Sequence, residues 1–400
     1  MRTYGELFRA PEFTPLFATA TLQIAATTVT GLAMGTLVYD ETHSPLLSAL
    51  AMFGASFAQV IGAVTLLSAA DRLPPRAALT AVALAFGAGT AVLAIPGLPL
   101  WAFFTVLGGL GLASSLGGGV RYGMLSEILP PDGYVLGRSV LNMSVGTMQV
   151  CGYAVGGVLV TVLSARGTLL TGAALDVITA IVARAGLSAR PPRAGGRPSI
   201  AQTWRVNAVL WASASRRYAY IALCVPNGLI VGCESLFVAF SPRHAGVLFT
   251  FAAAGMLIGD TLSGRFIRPG WRRRLGAPMR FLLAAPYLLF AVHPSLPLAA
   301  AVVMLASIGY CATLMLQERL MALTPEIYHG QALGLQSSAT LAMQAVGATL
   351  AGTIAQQTSV TTAIVVMAAA SVAITLIVSP GLRPGRLDRP APAAAARVGK

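Results

Sequence analysis

Residues Arg190–Arg217 read RPPRAGGRPSIAQTWRVNAVLWASASRR, with six arginines and no acid. Such a stretch cannot cross a lipid bilayer, because each charge would lie in hydrocarbon. The chain before it and the chain after it are both built from long apolar runs. The stretch therefore reads as a hinge loop between two similar halves, and the fold follows from counting the runs on each side.

Of the 400 residues, 56% are hydrophobic and only 10% are charged, with a mean hydropathy of +0.75. Soluble domains carry about 25% charged residues. The apolar runs recur at lengths of about 20 residues, which at ~1.5 Å per residue match a bilayer core of ~30 Å. The composition predicts an all-α membrane protein with twelve transmembrane helices. Six spans fall near 15–38, 46–69, 77–95, 99–125, 139–163 and 168–188. Six more fall near 218–240, 246–266, 278–293, 296–317, 332–355 and 360–379. The expected organisation is a six-helix bundle over 1–189, the basic hinge over 190–217, a second six-helix bundle over 218–380 and a disordered tail over 381–400.

Charge placement sets the orientation. With both termini on the cytoplasmic side of a bacterial plasma membrane, the outer loops hold only Arg166 and Arg243. The other twenty-four arginines and Lys400 lie on or near the inner side. That asymmetry is the positive-inside rule, so the net charge of +14 calls for no nucleic-acid partner. Short proline-rich turns, Ile95-Pro-Gly-Leu-Pro99 and His293-Pro-Ser-Leu-Pro297, join the third span to the fourth and the ninth to the tenth. Ser44-Pro45 reads as an N-cap followed by a proline in the first turn. Ser199 and Gln202 form a capping-box pattern before Trp204 and Trp211, which suggests a short helix along the membrane surface. No small-residue cleavage site follows the first charged residues, so no removable signal peptide is expected.

Several activities find no support. Lys400 is the only lysine, so there is no Gly-x-x-x-x-Gly-Lys phosphate loop. The histidines (His43, His244, His293, His329) and the cysteines (Cys151, Cys224, Cys233, Cys311) lack metal-site or CxxC spacing. There is no Gly-x-Ser-x-Gly elbow. No enzyme activity, metal or cofactor is expected.

The two halves repeat. Leu125, Pro130, Met148, Gln149, Gly152 and Gly157 recur as Leu320, Pro325, Met343, Gln344, Gly347 and Gly352, at a constant offset of 195. Six spans per unit give both copies the same orientation, hence a parallel repeat about an axis along the membrane normal.

Twelve spans, a basic central hinge and a parallel six-plus-six repeat resemble the major facilitator superfamily of secondary transporters. That family carries a Gly-x-Leu-Ala-Asp-Arg-x-Gly-Arg loop between its second and third helices. Here Leu67-Ser-Ala-Ala-Asp71-Arg72-Leu-Pro74-Pro-Arg76 keeps Asp71 and Arg72, while the glycines are replaced by Leu67 and Pro74. The second half has a related loop, Asp260-Thr-Leu-Ser-Gly264-Arg265, which keeps the arginine, so Asp260 and Arg265 join the candidate gating residues. The resemblance implies gating: Asp71 sits against the positive N-terminus of the eleventh helix, and Arg72 or Arg76 pairs with Glu127. Gly152, Gly156 and Gly157 resemble the glycine pattern of drug–proton antiporters, with Tyr153 in place of proline. These glycines, with Gly347 and Gly352, let helices approach closely. The antiporters' arginine on the fourth helix has no counterpart; Thr105 stands near its place. The pattern from Arg9 to Leu46, Arg-x-Pro-Glu-Phe…Tyr-Asp-x-Thr-x-Ser-Pro-Leu, resembles bacterial multidrug and natural-product exporters.

A charge at a helix centre costs about 2.5–3.5 kcal/mol on insertion scales and marks function by default. Two acids stand in spans flanking the hinge, Asp176 in the sixth and Glu234 in the seventh. They are the candidates for proton coupling, with a structural hydrogen bond to a neighbouring helix as the competing role. Gln23, Gln59, Asn142, Gln149, Asn227, Gln336 and Gln344 are the candidate cavity-lining residues. Methionines such as Met34, Met143, Met148 and Met343 offer an adaptable wall. Few charges, all acidic, suit neutral or cationic amphipathic cargo. The expected function is proton-coupled export of such small molecules by a monomer. A facilitator-type importer of a small solute is the alternative.

Overall fold

The computed structural model describes residues 4–65, 73–191, 200–267 and 269–382. Inside a bilayer every backbone N–H and C=O must be satisfied within the protein, and helices do this locally. Eleven segments among the described residues are long and apolar enough to cross a membrane. They are Phe13–Thr42, Pro45–Ala63, Pro75–Leu93, Leu100–Gly117, Leu136–Gly186, Ala214–Phe240, Ala245–Arg265, Leu275–Val292, Leu296–Ala322, Glu326–Gln357 and Val360–Leu382. The fifth is part of a helical run, Pro131–Gly186, of 56 residues. A straight helix of that length would extend ~84 Å, more than twice the bilayer core. It does not run straight: Ser164 takes φ 70° and ψ 168° and breaks it. The run is therefore two crossings, which makes twelve among the described residues. They are called here the first to the twelfth span in chain order.

Local sequence explains the ends of these helices. The Ser44 hydroxyl accepts the Leu47 N–H at 3.2 Å, with Pro45 in the first turn. The Ser359 hydroxyl likewise accepts the Thr362 N–H at 3.1 Å. Gly97, at φ 74°, makes the tight turn between the third and fourth spans, in a conformation other residues resist. The ninth span tightens from α to 3-10 over Ala285–Val292, where Pro286 withholds an N–H. Large apolar side chains point outward all round the protein, among them Trp101, Val162, Val292 and Ile377. In water such a surface would aggregate; in lipid it is ordinary.

One core cluster, from Leu7 and Phe13 to Leu187, lies within the first six spans at the end from which the hinge leaves. A second, around Phe237, Phe249, Tyr287 and Phe290, fills the later spans. Leu32 belongs to that second cluster, and Tyr39, Met52 and Tyr153 pack against it. The two sets of spans thus meet through apolar contact away from the hinge. The hinge itself is tied to both. Arg190 pairs with Glu12 at 3.0 Å and with Glu127 at 3.6 Å. Helix Ile200–Ala212 is held against the later spans by the Gln331 amide donating to Asn207 at 2.9 Å. Arg216 donates to the carbonyls of Val209, Leu210 and Leu323, satisfying the C-terminal end of that helix. Trp204 and Trp211 are exposed on it, and Trp211 stacks on Tyr220. The Ser199 cap and the tail from residue 383 lie outside the described residues.

Candidate functional site

Two helical stripes face each other between the halves. On the fifth span, Arg138, Asn142, Gly146, Gln149 and Tyr153 recur every three or four residues, which places them on one face. On the eighth span, Phe249, Ala252, Ala253, Met256, Leu257, Asp260, Thr261, Gly264 and Arg265 do the same. Between them lies a cavity of about 810 Å³, completed by Phe53, Glu234, Tyr310, Leu314 and Gln344. This is within the size range of sites for drug-sized molecules, roughly 300–1,000 Å³. A smaller recess of about 200 Å³, lined by Ile24, Thr27, Thr28, Gly31 and Met52, shares Phe53, Gln149 and Tyr153 with it.

The cavity leads toward the hinge end. Its lining residues there, Arg138, Ser139, Asn142, Met143, Thr261 and Arg265, are exposed, whereas Glu234 deeper in is 7% exposed. The opposite end is sealed by close backbone contact between the halves. A Cβ on Gly246 would lie 2.6 Å from the Cα of Gly157, and one on Gly352 would lie 2.7 Å from the Cα of Leu46. Beside that seam the Ser44 hydroxyl donates to Gln356 Oε1 at 2.7 Å.

Of the candidate acids, Glu234 lines the cavity and Asp176 does not. The Tyr287 hydroxyl lies beside the Glu234 carboxylate, short of a formed hydrogen bond, with the Ser307 hydroxyl next to Tyr287. Asp176 is 1% exposed and accepts a hydrogen bond from Gln23 Nε2 at 3.0 Å, inside the first six spans. That pair ties the first span to the sixth, and it accounts for both residues away from the cavity. Asn142, Gln149 and Gln344 line the cavity, so the repeat-related glutamines do share one space. Asn227 stands just behind it and accepts from Gln344 Nε2 at 3.2 Å. Gln336 is buried among Gln317, Thr340 and Cys224 and joins the seventh, tenth and eleventh spans. Gln59 lines neither cavity.

Only part of the expected gating arrangement falls on described residues. Asp71 and Arg72 lie outside the described residues. Glu127 pairs with Arg190 of the hinge. Arg76 instead donates to the Leu187 carbonyl at 3.4 Å, at the C-terminal end of the sixth span, where a cation complements the helix dipole. Asp260 to Arg265 is not a loop. Helix Ala245–Arg265 continues through it, since no proline interrupts the run, and Asp260 is aimed into the cavity wall. Gly152 and Gly156 pack on the first span at Thr28 and Val29, and Gly347 presses on Gly228 of the seventh.

Phe249, Tyr310 and Arg138 are cavity residues that sequence reasoning missed. Arg138 shares a helical stripe with Asn142 and Gln149, a polar periodicity readable in the sequence. Phe249, stacked on Tyr153 with centroids 4.8 Å apart, is one apolar residue among many and gave no such signal. Among the described residues no group of three His, Cys, Asp or Glu is placed to hold a metal ion.

A twelve-span helical protein with a central cavity, sealed at one end between its halves, is a membrane transporter rather than an enzyme. The chain belongs to the Major Facilitator Superfamily, whose family model matches residues 16–244. No curated protein matches it by sequence. Among solved structures, the fold is similar to that of the nucleoside transporter NupG, with a TM-score of 0.76 at 13% identity, covering 93% of this chain and 100% of that one. It is also similar to a POT family transporter in complex with a thioalcohol-conjugated peptide, with a TM-score of 0.73 at 13% identity, covering 92% and 96%. A third is a bacterial homologue of the human lysosomal transporter Spinster, inward-facing and unoccupied, with a TM-score of 0.67 at 14% identity, covering 93% and 95%.

Proposed function

We propose that this protein is a proton-coupled exporter of amphipathic neutral or cationic small molecules, working by alternating access as a monomer in a bacterial plasma membrane. The observation that carries the proposal is the cavity of about 810 Å³, sealed at the end away from the hinge and lined by the buried Glu234. Residues 1–189 and 218–380 are the two rocking bundles, and residues 190–217 are the cytoplasmic tether, its arginines kept inside by the positive-inside rule. In the state described, the cavity faces the cytoplasm. Cargo enters there and meets the amides of Asn142, Gln149 and Gln344 and the aromatic wall. Rocking about the glycine seam then opens the far side.

Glu234 is the proton carrier in this scheme. A carboxyl buried in low dielectric is tolerated in its neutral form and needs a partner when ionised. It takes a proton when the cavity faces outside and releases it when the cavity faces inside. Asp176 serves as structural support through Gln23.

The test is efflux of a cationic dye from expressing cells. Glu234→Gln is expected to abolish proton-driven efflux at unchanged expression, while Asp176→Asn retains it if the variant folds. Normal efflux by Glu234→Gln would remove Glu234 from the mechanism. Faster dye entry into expressing cells would favour a facilitator-type importer.

A further inference from the structure

Resting on the transporter reading above, we propose that Asp260 is the charge partner of the cargo. The cavity takes an elongated organic monocation, its ammonium or pyridinium head at Asp260 and its apolar body against Tyr153 and Phe249. Asp260 stands on the eighth span and lines the cavity, and its Oδ1 is buried with no hydrogen-bond partner. Glu41, Glu12 and Glu127 pair with Arg166 or Arg190 at the ends of spans, whereas Asp260 takes part in no ion pair among the described residues. Arg265, five residues on, also lines the cavity, but at its exposed mouth, and it forms no ion pair with Asp260. The carboxylate is thus left for something that enters the cavity, since an ionised group without a partner is costly in a low-dielectric site.

The surroundings define what that something is. Tyr310 lies in the field of both Asp260 and Glu234, and an aromatic ring beside an acid favours a cation by its face as well as by charge. Eleven residues separate Phe249 from Asp260, so the stacked Tyr153–Phe249 pair sits ~16 Å up the helix from the carboxylate. A compact cation would reach one of these features and not the other. An anion would meet the carboxylates of the buried Glu234 and the half-buried Asp260 in the cavity, with Arg138 and Arg265 at its exposed mouth. Glu234, with the Tyr287 hydroxyl beside it, is the better placed of the two acids to cycle a proton, so the acids divide the work between proton and cargo.

Binding by the purified full-length protein in detergent at pH 8 tests this. The probes are an N-methylated dimethylaminostyryl-pyridinium dye, an elongated monocation, and its unmethylated parent, which is neutral at that pH. Wild type is expected to prefer the cation. Asp260→Asn should weaken cation binding by about tenfold or more, the lower end of what a close, desolvated charge pair contributes, and leave the neutral dye unchanged. Asp260→Glu should restore the preference, and Glu234→Gln should keep it. The proposal is overturned if Asp260→Asn keeps the preference, or if wild type has none or binds neither dye. It is also overturned if Glu234→Gln removes the preference, which would make Glu234 the partner; this arm stands even if Asp260→Asn fails to fold. None of these results would by itself remove efflux, which the Glu234→Gln cell assay judges separately.

Discussion

Replacing Gly246 by alanine places a methyl group in the seam that closes the cavity at the end away from the hinge. The new Cβ would lie 2.6 Å from Gly157 Cα and 3.2 Å from Gly157 N and the Tyr153 carbonyl oxygen. Ordinary contact begins at 3.4 Å, so the fifth and eighth spans must part by ~0.8 Å, and the obstacle is backbone that has no rotamer to change. Overpacking of this kind costs about 1–3 kcal/mol. The three nearest atoms to the new methyl all belong to the other half, so the cost falls on the sealed state. It shifts the balance toward the open-seam state by about 5- to 150-fold. Gly157→Ala is a graded control, since its Cβ would meet Gly246 Cα at 3.1 Å and demands only a few tenths of an ångström. The assay is double electron–electron resonance between labels at Ile95→Cys and Arg243→Cys, both exposed near that end, in protein freed of its other cysteines. Gly246→Ala is expected to add a longer distance at the expense of the wild-type one, and Gly157→Ala to do so less. An unchanged distribution in folded Gly246→Ala protein, or a larger shift for Gly157→Ala, would refute the reasoning.

Two further outcomes follow from the same coordinates. Gly347 presses on the Gly228 carbonyl within one half, so Gly347→Ala should lower the melting temperature by overpacking on the order of 3 kcal/mol; a melt matching wild type would contradict the packing. Burial alone would raise the Glu12 carboxyl, but hydrogen bonds from Ser188 and the charge of Arg190 outweigh it and hold it below its ordinary value of 4.5. Because the folded value is the lower one, the stabilisation is full above about pH 4.5 and is lost as pH falls through the folded value. The melting difference between wild type and Glu12→Gln should therefore shrink below that pH, and a difference that grows on acidification would count against the contact.

The membrane spans were legible because each is an apolar run matched to the bilayer, and because arginines mark one side. The break at Ser164 was legible for the same reason: an apolar run twice the bilayer thickness must turn. The 195-residue offset pairs Gln149 with Gln344, and both line the cavity. What remained hidden was rotation about each helix axis. A span that is apolar all round carries no moment to say which face looks inward. Asp176 and Glu234 therefore read alike, although one is held by Gln23 and the other lines the cavity. Gln23, Gln59 and Gln336 were indistinguishable from Gln149 for that reason. Asp260 was read through a motif for a loop, and the helix runs on past it. The Arg190–Glu127 pair joins residues far apart in sequence, and nothing local singles out Arg190 over Arg76.

The central claim is that one cavity opens alternately to the two sides of the membrane. A single cysteine at Gln344, in protein freed of Cys151, Cys224, Cys233 and Cys311, tests it most directly with an impermeant thiol reagent applied to either face of sealed vesicles. The account predicts reaction from both faces, with reaction from the far face increased by Gly246→Ala. Reaction from the hinge face alone, unchanged by that substitution, would contradict it.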